Sequence, residues 1–312
     1  MIVVRYTGGL GNQMFEYAMS LMLIKKTLEE HVYADLTRYD MTIEHDGFDI
    51  LKYFDVNIDI MSDDIKKIIA PLNYYLCKIG LKNFLYKIKV SKIEGLNNKL
   101  EKRDNRVGII RDYASTNYNA NAFNIDKIKS KIWHYKGNWI NPLYWEDCVD
   151  YIRDSFIFKT DLLSKNDREI IDEMQHCESV SIHIRRGDYS GNYRYDLCND
   201  FYYIKALEKI KSIVKDNKKI IYYVFSEEKI SLPYIQNYKN IYHPELCGVD
   251  LWMMSKCKYN IIANSTFSYW AAILNVYDKK KVIAPYYAYR GDDMKIELPV
   301  PTEWIRINNL EQ

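Results

Sequence analysis

In the second half of the chain, short runs of Val, Ile, Tyr and Phe alternate with stretches whose apolar residues recur at helical spacing. The pattern predicts strands over 179–184, 220–225, 241–242, 260–263 and 281–284. Between them it predicts helices from an Asn199 cap to about 214, over 249–257 and over 266–274. Strands and helices in strict alternation imply an α/β fold with a parallel sheet covered by helices. The first half starts the same way, with a strand over 2–6, the turn Gly8-Gly9-Leu10-Gly11 and an apolar-periodic stretch through Met14, Phe15, Ala18, Leu21, Met22 and Leu28. A strand over 32–34 ending at Asp35, a strand over 107–111 and a helix over 144–158 follow. Between about 40 and 105 the pattern loosens into Lys-, Asn- and Tyr-rich pieces with no clear period. The polar segment near 160 separates the two regimes, so two domains are expected, 1–160 and 161–312.

Composition narrows the function classes. The formal charge is +2, from 44 basic and 42 acidic residues, which gives no bulk attraction for nucleic acid, so an anion has to be held by a local cluster. The start lacks a basic n-region and a cleavage site, and no run approaches the ~18 apolar residues of a membrane span. A cytoplasmic protein is expected. The six cysteines contain no C-x-x-C pair, which fits reduced thiols.

Ligands of open parallel sheets bind beyond the carboxyl ends of the strands. The residues just past those ends are Arg185, Ser226-Glu227, His243 and Asn264-Ser265-Thr266. The segment His183-Ile184-Arg185-Arg186-Gly187-Asp188-Tyr189 carries two guanidinium groups, each a fork of N–H donors suited to phosphate oxygens. Side chains alternate along a strand, so Arg185 and Arg186 are expected to diverge, Arg185 reaching the ligand and Arg186 tying down Asp188 or the loop. Ser265 or Thr266 fits a helix N-cap, and a helix N-terminus also suits a pyrophosphate. Asp250 is either a first-turn helix acid or a ligand contact. The glycine loop, with Asn12 and Gln13 opening a helix, is either a packing turn or a ligand loop. It is not a dinucleotide fingerprint, because Met14 stands where the third glycine would be. The chain has no Asp-x-Asp triplet of the kind that holds a divalent cation on a nucleotide sugar, so no metal is expected.

With these residues in view, the sequence resembles the bacterial α-1,2-fucosyltransferases of glycosyltransferase family 11. Gly8 through Ala18 is similar to that family's G-G-L-G-N-Q-M-F-Q-Y-A signature, His183 to Tyr189 to its H-x-R-R-G-D-Y motif, and Asp250 through Leu274 to its third block. Glu16, Tyr259, Tyr269 and Ser226-Glu227-Glu228 depart from the usual Gln, His, Trp and Ser-Asp-Asp, and the last departure bears on Glu227 as a nucleotide contact.

The resemblance implies a GT-B-like fold of two Rossmann-like domains facing across a cleft, an N-terminal acceptor-side domain and a C-terminal domain binding GDP-fucose. It implies metal-independent, inverting transfer of L-fucose from GDP-β-L-fucose to a glycan hydroxyl, O2 of a galactoside, in surface polysaccharide or lipopolysaccharide synthesis. The implied donor contacts are Gly11, Asn12, Gln13, His183, Arg185, Arg186, Ser226, Glu227, Asp250, Asn264, Ser265, Thr266 and Phe267, with Arg185 on the diphosphate. Asp188, Asp35 and Glu16 are candidates for the general base, unless the departing phosphate takes the proton itself. Another linkage such as α-1,3, another sugar nucleotide, or a non-catalytic GDP-binding module are the alternatives. The expected partners are GDP-fucose and a galactose-containing acceptor, with peripheral inner-membrane contact through a lipid-linked acceptor and the basic stretch 78–92.

Overall fold

The computed structural model describes the whole chain except residues 28, 41–46, 82–89, 113–117, 125–129, 215–218, 229–237, 292–293 and 311–312. The chain divides into two compact units, Met1–Phe156 and Ile157–Gln312. Most of the basic stretch 78–92 lies outside the described residues.

The first unit is built on a five-stranded sheet. Its strands are β1 (Ile2–Arg5), β2 (Val32–Asp35), β3 (Asp59–Ile60), β4 (Val107–Arg111) and β5 (Ile132–Lys136), in the order β3-β2-β1-β5-β4 with every pair parallel. Val3 and Val4 are fully buried, as a central parallel strand demands. Helix α1 (Leu10–Thr27) follows the glycine turn and buries Met14, Phe15, Ala18 and Met22, the stripe expected from the sequence. Among the described residues, helices α2 (Asp63–Ile69), α3 (Pro71–Lys78) and α4 (Val90–Arg103) come between β3 and β4. Ile93 of α4 packs on Leu72, Leu76 and Cys77.

Two parts of this unit differ from expectation. The segment 132–136 is a central strand, although it carries His134 and Lys136, because those groups find carboxylate partners inside the unit. The helix expected over 144–158 is broken into two short 3-10 turns and the helix Val149–Asp154. Asn141, capping Leu143 N–H, and Pro142 start the first turn, and the buried Tyr144 and Trp145 set the local course of the chain.

The second unit repeats the architecture with a six-stranded sheet. Its strands are β6 (Glu178–His183), β7 (Ile220–Phe225), β8 (Tyr238–Ile241), β9 (Tyr259–Ile261), β10 (Lys281–Pro285) and β11 (Ile305–Ile307). They run in the order β8-β7-β6-β9-β10-β11, again all parallel. Helices α5 (Lys165–His176), α6 (Asp200–Ile213), α7 (Cys247–Met254) and α8 (Thr266–Leu274) cover it. Their starts follow from capping: Ser164 and Asp167 form a capping box, Asn199 accepts from Tyr202 N–H, and Ser265 from Phe267 N–H. One apolar cluster joins Val180, Ile182, Tyr202, Ala206, Ile210, Val224, Ile261 and Ile283 between sheet and helix. The α/β class and the two Rossmann-like units expected from the sequence are both present.

Candidate functional site

In each sheet the first strand of the unit is also the place where the strand order reverses, β1 against β5 and β6 against β9. A crevice opens at such a switch point, beyond the carboxyl ends of the strands. Both rims carry charge.

In the second unit, β6 ends at His183, paired in register with Phe225 at the end of β7. Arg185 follows, its guanidinium held by the Glu227 carboxylate on one side and by Asp188 at 2.5 Å on the other, and it lies 5.3 Å from the Tyr189 ring centre. The second Glu227 oxygen accepts the Arg186 N–H at 3.0 Å. Glu227 thus ties the arginine loop to the end of β7. Asp188 is bound by Arg185, not by Arg186 as strand alternation suggested, because a tight turn with Gly187 at φ 48° folds the chain back beneath Arg185.

Beside Arg185, the His183 ring is 4% exposed and 5.6 Å from the Phe267 ring at the start of α8. Burial, reinforced by Arg185 against the pull of Glu227, lowers the His183 pKa to about 4, so the imidazole is neutral at pH 7. Its Nδ1 and the Ser226 hydroxyl are both buried without a hydrogen-bond partner. Such atoms are costly to leave unpaired, and they cluster where a ligand would satisfy them. Ser265, Thr266 and Phe267 open α8 at this same place, and its N-terminal N–H groups suit an anion.

Two residues expected here have other partners. The Asn264 amide donates to the Tyr195 and Ala288 carbonyls at 2.9 and 2.7 Å, so it braces loops. Asp250 binds His243 Nδ1 at 2.5 Å, while His243 Nε2 lies 3.1 Å from Asp167 of the α5 capping box. The hydrogen bond to Asp250 raises the His243 pKa despite partial burial, and the ring, held by a carboxylate at each nitrogen, clamps α5 to α7.

In the first unit, the β1/β5 rim opens into a cavity of about 320 Å³ lined by Arg5, Thr7, Gly8, Asn12, Arg38, Glu94, Lys136, Gly137 and Asn138. Glu94 lies between two guanidinium groups, Arg5 and, at 2.8 Å, Arg38. Beneath the floor runs a chain of buried charges. Lys136 pairs with Glu101 and donates to Asn98 at 2.9 Å, Glu101 accepts His134 Nδ1 at 2.5 Å, and His134 Nε2 lies 3.1 Å from Asp35. Burial alone would raise the Asp35 carboxyl, but His134, Arg5 and the Thr37 side chain together hold it well below the usual carboxylate range. Gly8, at φ 69°, forms the near wall; a Cβ there would lie 2.4 Å from Asn12 Nδ2.

The glycine-loop residues divide by role. Asn12 lines the cavity, whereas Gln13 is consumed structurally, donating to the Gly8 and Gly47 carbonyls and accepting from Asp49 and Ile50 N–H. Gly11 is buried inside α1. Glu16, also fully buried, accepts the Thr7 N–H and hydroxyl; burial outweighs those bonds and raises its pKa well above the usual value.

Glu94, Glu101 and Lys136 were not singled out by sequence, and neither was Asp112. Asp112 follows β4, accepts Trp139 N–H at 3.1 Å and keeps its other oxygen buried and unpartnered. Burial pushes its pKa up to about 6. Trp139 takes φ 55°, a left-handed conformation rare outside glycine, and Gly137 allows the close approach, since a Cβ there would lie 2.5 Å from the Asp112 Cβ. The sequence offered one signal, an acid directly after a predicted strand.

Comparison with known proteins gives this geometry a family. The profile of Glycosyl transferase family 11 matches residues 1–308. An Alpha-1,2-colitosyltransferase of Escherichia coli is 28% identical over 322 residues, covering 98% of this chain and 98% of that protein. The O-antigen biosynthesis glycosyltransferase WbnK of Escherichia coli is also 28% identical, over 96% of this chain and 98% of its own length. Among solved structures, the fucosyltransferase NodZ from Bradyrhizobium aligns with a TM-score of 0.47 at 12% identity, covering 88% of this chain and 91% of that one. With its family profile matched over nearly the full length, the chain belongs to Glycosyl transferase family 11.

Proposed function

We propose that this glycosyltransferase moves L-fucose from GDP-β-L-fucose to O2 of a galactoside, with inversion at the anomeric carbon and without a metal ion. The observation that carries the reading is the β6/β9 rim, where Arg185, the buried unpartnered Nδ1 of His183 and hydroxyl of Ser226, and the start of α8 lie together. The donor diphosphate is assigned to this rim. Breaking the bond between the sugar and the diphosphate loads negative charge on the leaving group, and a fixed guanidinium stabilises that charge more in the transition state than in the ground state. Arg185 is assigned that role. Asp188 is 56% exposed, so it is free to swing away as the diphosphate takes its place on Arg185.

The α-1,2 linkage is supported by the colitosyltransferase, whose name specifies that linkage. The same relative supports a second reading of the donor. Colitose is fucose lacking the 3-hydroxyl, and a pocket accepting one needs little change to accept the other. The WbnK likeness supports O-antigen synthesis as the setting. No helix among the described residues is long and apolar enough to cross a membrane, so contact with a lipid-linked acceptor would be peripheral. A screen of fucosyl and colitosyl nucleotides against a panel of galactosides, with NMR of the product linkage, tests both readings. Turnover with neither donor would overturn them.

A further inference from the structure

The cavity at the β1/β5 switch point has a chemistry different from the arginine rim of the second unit. Its volume, about 320 Å³, lies at the small end of the ~300–1,000 Å³ typical of ligand pockets, room for one or two sugar rings. Its lining residues are polar or glycine, with Arg5, Arg38, Lys136, Asn12 and Asn138 as donors and Glu94 as the acceptor among them, and the stems of those side chains add apolar surface. An anionic ligand would meet the Glu94 carboxylate, which two guanidinium groups hold in place. A polyhydroxylated neutral ligand meets what each hydroxyl needs, an acceptor beside a donor.

The charge network beneath supports the assignment. Glu101 is fully buried, and the side chains of His134, Asp35 and Lys136 are 1%, 2% and 9% exposed. Buried ion pairs of this kind contribute little net stability compared with a well-packed apolar core. What the network does supply is position, since it holds the cavity-lining Lys136 ammonium against Glu101 and Asn98.

We infer that this cavity is the subsite for a neutral sugar ring of the acceptor, with Glu94, bracketed by Arg5 and Arg38, accepting hydrogen bonds from vicinal hydroxyls. Asn12 and Asn138 close over the ring, and Glu101, His134 and Asp35 are positioning residues for Lys136. The inference rests on the proposed galactoside acceptor but is separable from it. Asn138 is exposed on the cavity wall, so Asn138→Trp fills the space without disturbing the buried ion pairs, and Glu94→Gln keeps the shape while removing the charge.

The test is saturation-transfer difference NMR of the full chain with methyl glycosides of galactose, glucose and N-acetylgalactosamine in the absence of donor, together with GDP calorimetry and thermal melts. At least one glycoside should show transfer with the parent chain. That signal should disappear in Asn138→Trp, with GDP affinity and melting temperature unchanged, and fall at least fivefold in Glu94→Gln, which keeps GDP affinity and stays folded. No signal with any of the three glycosides, or a signal that persists in both variants, overturns the inference. Loss of glycoside binding in a chain that transfers from no nucleotide sugar would leave the subsite standing and count against the transfer reading. Acceptor KM unchanged in both variants of an active enzyme would do the reverse.

Discussion

The Asp188 carboxylate lies 2.5 Å from the guanidinium of Arg185, three residues before it, and the Glu227 carboxylate holds the opposite edge. Arg185 is thus aimed before any ligand arrives. A lysine in its place has no planar fork to serve Glu227 and a diphosphate together. Arg185→Ala and Arg185→Lys should each lower kcat about a hundredfold or more, the loss typical of a preorganised donor on a developing anion. Asp188→Asn should cost less than tenfold, because Glu227 still orients the guanidinium. Steady-state kinetics at saturating donor checks the order.

His243 should make stability depend on pH. Its pKa is raised in the folded chain by Asp250 and Asp167, so the stabilisation is complete below about pH 6.5, the unfolded value, and is lost as pH rises through the folded value. Chemical denaturation between pH 6 and 9 should show that decline, and His243→Gln should remove most of it.

Asp112 has the opposite consequence for its own replacement. With its pKa raised to about 6 by burial, the unfolded chain loses this proton first, and stability falls as pH rises from about 4 to about 6. Above that window the buried carboxylate is a cost. Asp112→Asn keeps the bond from Trp139 N–H and should stabilise the protein at pH 8 by about 1–2 kcal/mol, after allowance for partial solvent screening. Equal melting temperatures for the two proteins at pH 8 would contradict this.

Gly8 joins conformation to the cavity wall. At φ 69°, with Asn12 Nδ2 only 2.4 Å from where a Cβ would stand, Gly8→Ala should cost about 1–2 kcal/mol and displace Asn12. Thermal melts measure the first effect. A raised acceptor KM with unchanged GDP affinity measures the second.

The second sheet was legible in the sequence because its signals are local and agree. Strands of Val, Ile and Tyr alternate with helices whose caps, Asn199 and Ser265, are visible as residue types. The strand Ile132–Lys136 was not legible. His134 and Lys136 erase its apolar pattern, and their burial is rescued by Glu101, a residue about 35 positions away on a helix too polar to stand out. The arginine segment was half legible. Alternation predicts that Arg185 and Arg186 diverge, but it ends with the strand at His183, and the turn at Gly187 decides which arginine Asp188 meets. Asn264, Gln13 and Asp250 were legible as polar residues at strand and helix ends, whereas their partners are set by tertiary packing.

The most direct measurement of the central claim follows purified parent and Arg185→Ala proteins with GDP-β-L-fucose and a β-galactoside by NMR. The parent chain should give a new α-1,2-linked fucosyl product and free GDP, with both reduced about a hundredfold or more in the variant while it stays folded. A variant that turns over at the parental rate, or a parent chain that leaves the donor intact with every galactoside, would contradict it.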